Sequence, residues 1–136
     1  TPLQFDNPKF ATTYDAIDIQ YKTIDKNFSV MGLSGIIFYT DKKKIKDCYK
    51  KMELIAGQIR SLFSNVYEER ADNSIHRGID DGGKSTFSGI YFQFDNEDRI
   101  SIQCYNYSVE AGDQNHLSVG IYTKEYVDFL TTKAYK

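Results

Sequence analysis

The segment 78–85, GIDDGGKS, matches the phosphate-binding pattern GxxxxGK[ST] letter for letter. In a nucleotide-binding protein this loop follows a strand and opens a helix, so that backbone N–H groups and the helix N-terminus face the phosphates. Here the residues after Lys84 are strand-like, and Asp80 and Asp81 would place negative charge against the phosphates. We therefore predict that this segment binds no nucleotide.

The two histidines and two cysteines are the other residues with ready chemistry. His76 and His116 fall in predicted loops, and no HxH, HxxxH or CxxC spacing joins them to another ligand. Because zinc needs three or four protein ligands, we interpret both as surface histidines and predict no metal site. Cys48 and Cys104 fall on predicted apolar faces, where a thiol is usually inert. The loop carboxylates have no spacing that specifies a reaction, so we expect a non-catalytic protein without a cofactor.

The spacing of apolar residues predicts the elements that must position these side chains. Alternation within 16–24 and 31–40 predicts two strands joined by a hairpin at 25–27. Apolar residues at three- and four-residue spacing predict a long helix that follows an N-cap at Asp41 and ends at Phe63. The apolar stripe of this helix consists of Ile45, Cys48, Met52, Ile55, Ile59 and Leu62.

The second half of the chain predicts three more strands and a second helix. Segments 90–94 and 100–104 alternate around a turn at 95–98, and 117–121 forms the last strand. Thr123 is predicted to cap a C-terminal helix. Its apolar stripe consists of Tyr126, Val127, Leu130 and Ala134. The predicted fold is a single α+β domain over 1–136, with an irregular lead-in at 1–15. It has an antiparallel sheet of about five strands, one long helix packed across a face, and a short C-terminal helix.

Composition argues against two classes of partner. A formal net charge of -2 with 26% charged residues gives no basic excess, so we expect neither nucleic acid nor an anionic membrane as partner. The longest apolar run is of strand length, far below the ~20 residues that a membrane helix needs, so we predict no membrane insertion.

The two cysteines predict a bridge and a compartment. Cys48 lies on the helix stripe and Cys104 on the apolar strand face, so packing the helix on the sheet brings both toward one interface. A disulfide is possible where the Cα atoms come within about 7 Å, and two separate buried thiols are the alternative. A bridge, together with a first residue, Thr1, that is not methionine, favours export to the periplasm with a signal peptide removed.

Polar segments and tyrosines supply the candidate binding residues. Segment 68–86 is polar and without period, which predicts a long loop used for recognition, and 106–116 is a second polar loop. Tyr91, Tyr105 and Tyr107 alternate with core positions and therefore point to the opposite sheet face, where they are either exposed anchors or covered by another segment. The predicted partner-binding residues are Asp72, His76, Arg77, Asp80, Asp81, Tyr105, Tyr107, Glu110 and Asp113.

The segment 88–108, with ISIQCYNYS after an acidic turn, is followed by a strand and by TKEYVDFL. This pattern resembles small periplasmic immunity proteins, which Gram-negative bacteria keep against secreted antibacterial toxins. The resemblance implies a non-catalytic inhibitor that blocks the active site of a cognate toxin by protein contact, and it assigns no site residues. The alternative is a small-ligand module or small hydrolase with a pocket between helix and sheet.

Overall fold

The computed structural model describes residues 13–24, 26–40, 44–76 and 82–134. Its strands are β1 (Ala16–Tyr21), β2 (Val30–Tyr39), β3 (Tyr67–Ile75), β4 (Thr86–Gln93), β5 (Arg99–Asn106) and β6 (Asn115–Tyr122). Its helices are α1 (Ile45–Leu62) and α2 (Lys124–Phe129), and α2 continues as a π-helical turn, Leu130–Ala134. Among the described residues, no helix is long and apolar enough to cross a membrane.

All the strands form one antiparallel sheet in the order β1-β2-β6-β5-β4-β3. The predicted α+β class, the antiparallel sheet, the long helix and the short C-terminal helix are therefore confirmed. The strand count is corrected from about five to six, and the additional strand is β3.

Strand β3 occupies residues 68–75 of the segment 68–86 that the sequence predicted to be a loop, so that prediction is wrong for its first part. β3 is an edge strand, and on its α1-facing side Glu68 and Arg70 form ion pairs with the helix. The Glu68 carboxylate accepts two hydrogen bonds from Arg60, at 2.6 and 2.8 Å, and Arg70 pairs with Glu53. Because ion pairs stand where apolar contacts would otherwise be, the sequence of β3 lacks the apolar alternation that marks a half-buried strand.

Helix α1 packs across β4, β5 and β6 and closes the main core. The buried helix residues are Cys48, Met52, Ala56 and Ile59, and they meet Ile90, Phe92, Ile100, Ile102, Cys104 and Leu117. The predicted N-cap, Asp41, lies outside the described residues. The helix begins at Ile45, and Lys44 before it makes no side-chain cap hydrogen bond with the described residues.

The predicted disulfide is present between α1 and β5. Cys48 and Cys104 are bonded, their Cα atoms are 6.1 Å apart, and both side chains are fully buried. The bridge joins the long helix to an interior strand of the sheet and closes a loop of 56 residues.

Helix α2 lies over the sheet face opposite α1. The predicted cap at its start is confirmed, because the Thr123 hydroxyl accepts a hydrogen bond from the Tyr126 amide at 3.4 Å. Val127 and Leu130 turn toward the sheet, but no residue of α2 is fully buried. The sheet is thus packed by a long helix on one face and roofed in part by a short one on the other.

Reducing the disulfide is expected to lower the free energy of unfolding by about 4 kcal/mol, the chain-entropy value for a loop of this length. Urea unfolding with and without reductant measures this difference without changing any residue. A Cys48→Ala/Cys104→Ala variant should fall at or below the reduced protein, because it also loses buried sulfur. Intact mass corresponding to two free thiols in protein prepared under oxidising conditions would contradict the bridge.

Candidate functional site

The sheet face opposite α1 carries an unbroken row of rings. The strand registers place Phe87, Tyr105, His116 and Phe38 directly opposite one another across β4, β5, β6 and β2. The His116 ring stacks on Tyr105 at 4.6 Å between centroids and meets Phe38 edge-on at 6.2 Å. Ring pairs at these distances stabilise a fold by more than the burial of their apolar surface alone. We call these four residues the aromatic row.

Two of the predicted binding residues, Tyr107 and His76, extend the aromatic row. Tyr107 lies parallel to Tyr105 at 5.9 Å, and His76 lies 5.7 Å from Tyr105 and 6.2 Å from Tyr107. Tyr107 is only 8% exposed, and Asn115 accepts a hydrogen bond from its backbone amide at 2.7 Å. The structure therefore brings His76, Tyr105 and Tyr107 together, as part of a packed cluster rather than as three separate exposed anchors.

Small residues form the floor beside the aromatic row. Ser34, Ser101 and Ser118 are buried, and Ser101 and Ser34 are the cross-strand neighbours of Gly120. Because serine and glycine are small, they leave a space above the strands that larger side chains would fill. A shallow depression therefore runs across β5, β6 and β2.

The tripeptide Gly-Ile-Tyr occurs twice on this face, at 89–91 and 120–122. In each copy the tyrosine ring folds back along its strand over the glycine. A Cβ at Gly120 would lie 2.5 Å from the Tyr122 hydroxyl, and one at Gly89 would lie 2.6 Å from Cζ of Tyr91. Only glycine gives the ring room to lie this close to the backbone.

Tyr91 is held in place by polar partners. The Gln103 amide donates to the Tyr91 hydroxyl at 2.7 Å and accepts from the Tyr105 hydroxyl at 2.7 Å. The Arg99 guanidinium lies over the Tyr91 ring, 5.5 Å from its centroid. Burial raises the pKa of Tyr91, and the hydrogen bond from Gln103 opposes that shift. This chain of contacts fixes two rings, an amide and a guanidinium along one wall.

Helix α2 covers part of the depression and makes it a trough. Tyr126, Val127, Leu130 and Thr131 face the floor, and the cleft between them and the sheet has a volume of about 770 Å³. A second cavity of about 1480 Å³ lies between β1 and α2. Asp18, Gln20 and Tyr126 line both cavities, so the two adjoin at these residues. We call the first cavity the trough and the shared residues the junction.

His116 is the titratable group at the centre of the aromatic row. Its Nδ1 lies 3.0 Å from the Gln114 carbonyl, a distance at which Nδ1 donates its proton. Burial lowers the pKa of His116, and the hydrogen bond to Gln114 and the charge of Asp113 offset part of this shift. The sequence interpretation of His116 as a loop residue is wrong, because it lies in β6 with its ring partly buried. Among the described residues, no group of three or more His, Cys, Asp or Glu side chains could hold a metal ion.

The remaining predicted binding residues do not join the trough. Asp72 is exposed on the edge strand β3, and Glu110 is exposed and paired with Lys84 at 3.0 Å. Asp113 is exposed in the loop before β6, close enough to act on His116 through its charge. Arg77, Asp80 and Asp81, with the first half of the 78–85 pattern, lie outside the described residues.

Several trough residues were not among the sequence candidates: Asp18, Gln20, Ser34, Phe87, Ser101, Gln103, Ser118, Tyr122 and Tyr126. The repeated Gly-Ile-Tyr and the serines between the apolar residues of β5 and β6 are the signals that could have pointed to them. The sequence predicts, as an alternative, a pocket between helix and sheet. Buried side chains fill the interface of α1 with the sheet, and the trough lies on the other face, between α2 and the sheet.

Comparison with known proteins gives no guide to what the trough binds. No family model, curated protein or solved structure matches the chain. The resemblance to immunity proteins therefore rests only on the residues quoted for it. The function has to be inferred from the geometry and chemistry of the trough.

Lowering the pH from 7.5 to 5.5 is expected to reduce the free energy of unfolding, and His116 should account for part of the loss. Because burial lowers its pKa, the unfolded chain binds a proton at a higher pH than the folded protein. Stability is therefore complete above the unfolded pKa and falls as the pH drops through it. Urea unfolding at several pH values measures the slope, which should be smaller in His116→Gln. An unchanged slope in that variant would contradict the assignment.

Gly89→Ala is expected to destabilise the protein by about 1–3 kcal/mol, the usual cost of forcing atoms into a packed site. The new methyl group would displace the Tyr91 ring and break its hydrogen bond with Gln103. Gly57→Ala is the matched control, because a Cβ there meets nothing within 4 Å. In the middle of α1 it should stabilise by roughly 0.5–1 kcal/mol. Urea unfolding compares the two, and equal effects would refute the close approach at Gly89.

Proposed function

We propose that the protein is a non-catalytic binding protein that holds an extended segment of a protein partner in the trough. The observation that carries the proposal is the construction of this face. An aromatic row and the rings of Tyr91 and Tyr122 surround a floor of buried serines, under a partial roof from α2. Tyrosine is suited to this use because it supplies large contact area on a rigid side chain with a polar tip.

The dimensions of the site favour an extended chain. The trough and the second cavity together cross the sheet from β4 to β1, a width of about 19 Å at ~4.8 Å per strand interval. An extended peptide spans ~3.3–3.6 Å per residue, so five or six residues cover this width. The Ser34, Ser101 and Ser118 hydroxyls and the Gln103 amide line the path and offer hydrogen-bond partners to its backbone.

The proposed partner class follows from the resemblance to immunity proteins. We propose that the partner is a secreted antibacterial toxin and that binding keeps it inactive in the periplasm. The buried disulfide supports this location, because such bridges persist in oxidising compartments. The trough replaces the acidic loops as the proposed centre of contact, since Glu110 and Asp72 lie outside it.

A small-molecule ligand is the second candidate. The trough volume of about 770 Å³ lies inside the range of small-molecule sites, ~300–1,000 Å³. Converging polar groups, among them Gln103, His116 and the floor serines, would orient such a ligand. The two candidates make different predictions for peptide selection.

Peptide selection on the immobilised protein is expected to recover binders that need an open trough. Ser101→Leu fills the floor of the trough, and Ser61→Leu makes the same substitution at an exposed position of α1. Recovered peptides should bind wild type and Ser61→Leu equally. They should bind Ser101→Leu at least about tenfold more weakly, a loss of ~1.4 kcal/mol.

Circular dichroism and thermal unfolding establish that both variants are folded before binding is compared. Peptides that bind folded Ser101→Leu as well as wild type would show that the trough is not their site. Failure to recover any peptide, together with small-molecule fragments that shift the amide resonances of residues 101, 103 and 116, would favour the second candidate.

A further inference from the structure

The junction between the two cavities has an unusual charge environment. Asp18 lies on β1, opposite Ser34 of β2, and its side chain lines both the trough and the second cavity. The Gln20 amide donates to its carboxylate at 2.5 Å. Among the described residues this neutral amide, and no cation, is the partner of Asp18.

The lysines that line the second cavity near Asp18 are engaged elsewhere. Lys22 pairs with Glu125 at 2.6 Å, and Lys124 pairs with Asp128 at 2.6 Å. Arg99, the cation that lines the trough, lies over Tyr91 on the far side of the floor. Lys133 lines the second cavity but forms no ion pair with Asp18 in the described part of the chain. The carboxylate therefore faces the junction without a counter-ion.

The Gln20 side chain holds the Asp18 carboxylate in place. Its Nε2 is committed to Asp18, which turns its Oε1 away from the carboxylate. That oxygen is buried, and none of the described residues donates a hydrogen bond to it. The acceptor that the junction offers to a ligand is therefore the Asp18 carboxylate, which favours a ligand that brings N–H groups.

Aromatic faces line the junction on the α2 side. Tyr122 stacks on Tyr126 at 5.5 Å, and Tyr126 stacks on Phe129 at 6.3 Å. Tyr122 lines the trough, Phe129 lines the second cavity and Tyr126 lines both, so the stack runs through the junction. A cation within about 6 Å of a ring face is attracted by its electrons. Arg99 on Tyr91 is an internal example on the same face of the sheet.

We infer that the junction binds the basic side chain of a residue in the partner segment. The cation pairs with Asp18 and lies against the partly exposed ring of Tyr126. Arginine suits the site better than lysine, because its planar guanidinium stacks on rings while donating several N–H bonds to a carboxylate. This inference rests on the proposed function and adds to it the charge of the recognised residue.

The test uses two synthetic peptides, acetyl-Gly-Ala-Arg-Ala-Gly-amide and its citrulline counterpart, which has the same shape without the charge. The arginine peptide is expected to shift the amide resonances of residues 18, 20, 122 and 126 in labelled full-length protein. The citrulline peptide should bind at least about fivefold more weakly, since it loses both the ion pair and the attraction to the rings. Ethylguanidinium, added separately, tests whether a free cation is bound without a peptide.

Asp18→Asn is expected to remove the difference between the two peptides. Asp95→Asn makes the same change at an exposed turn outside both cavities and should leave the difference intact. Equal binding of the two peptides to wild type, or no shift at the junction with the arginine peptide, would overturn the inference. Ethylguanidinium binding as tightly as the peptide would show a site for free cations and overturn the peptide assignment.

The peptide selection on wild type and Ser101→Leu tests the proposed function without involving Asp18, so the two proposals can fail separately. Selected peptides that need the open trough but bind Asp18→Asn unchanged would refute the basic residue and leave the proposed function standing. Selection that recovers no trough-dependent peptide would refute the proposed function itself.

Discussion

The structure depends on the packing of α1 against β4, β5 and β6, which the bridge between Cys48 and Cys104 holds together. Side chains along a strand alternate between the two faces of the sheet. Because the large aliphatic residues of these strands lie under α1, the residues between them must lie on the other face. Ile90, Ile102 and Leu117 are fully buried on the helix side. Their neighbours along the strands are glycine, serine, glutamine and aromatic residues, and these form the trough. The alternation along each strand therefore produces both the core on one face and the trough on the other.

On the trough face, tyrosine rings compensate for the destabilising effect of glycine in the strands. Glycine in a strand weakens it, because it has no side chain to pack and loses more backbone entropy on folding. At Gly89 and Gly120 a tyrosine two residues later lies back over the bare backbone and covers it. Each ring thereby protects its own strand, and its hydroxyl is brought over the floor. The same contacts that stabilise this face also place polar groups where a ligand can meet them.

The sequence predicted those parts of the fold whose signals are local, and missed those that depend on strand register. The helix stripe through Cys48 and Met52 and the hairpin of β4 and β5 follow from spacing within one segment. Strand β3 was missed because Glu68 and Arg70 pair with charges on α1 rather than packing apolar side chains. The aromatic row was missed because it joins Phe38 to His116, which are far apart in sequence and become neighbours only when β2 pairs with β6.

Access to the trough is governed by its roof. Helix α2 has no fully buried residue. Its N-terminus is capped by the Thr123 side chain, and the Lys124 amide donates a hydrogen bond to Asp98. Glu125 forms an exposed ion pair with Lys22. Exposed ion pairs add little stability, typically below about 1 kcal/mol. The floor, by contrast, belongs to interior strands tied to α1 by a disulfide. Opening of α2 therefore costs much less than any change in the floor, since elements with few buried contacts open most easily. Lifting of α2 would uncover Ser34, Ser101 and Ser118 while these floor residues stay fixed, and Tyr126 would move with the helix.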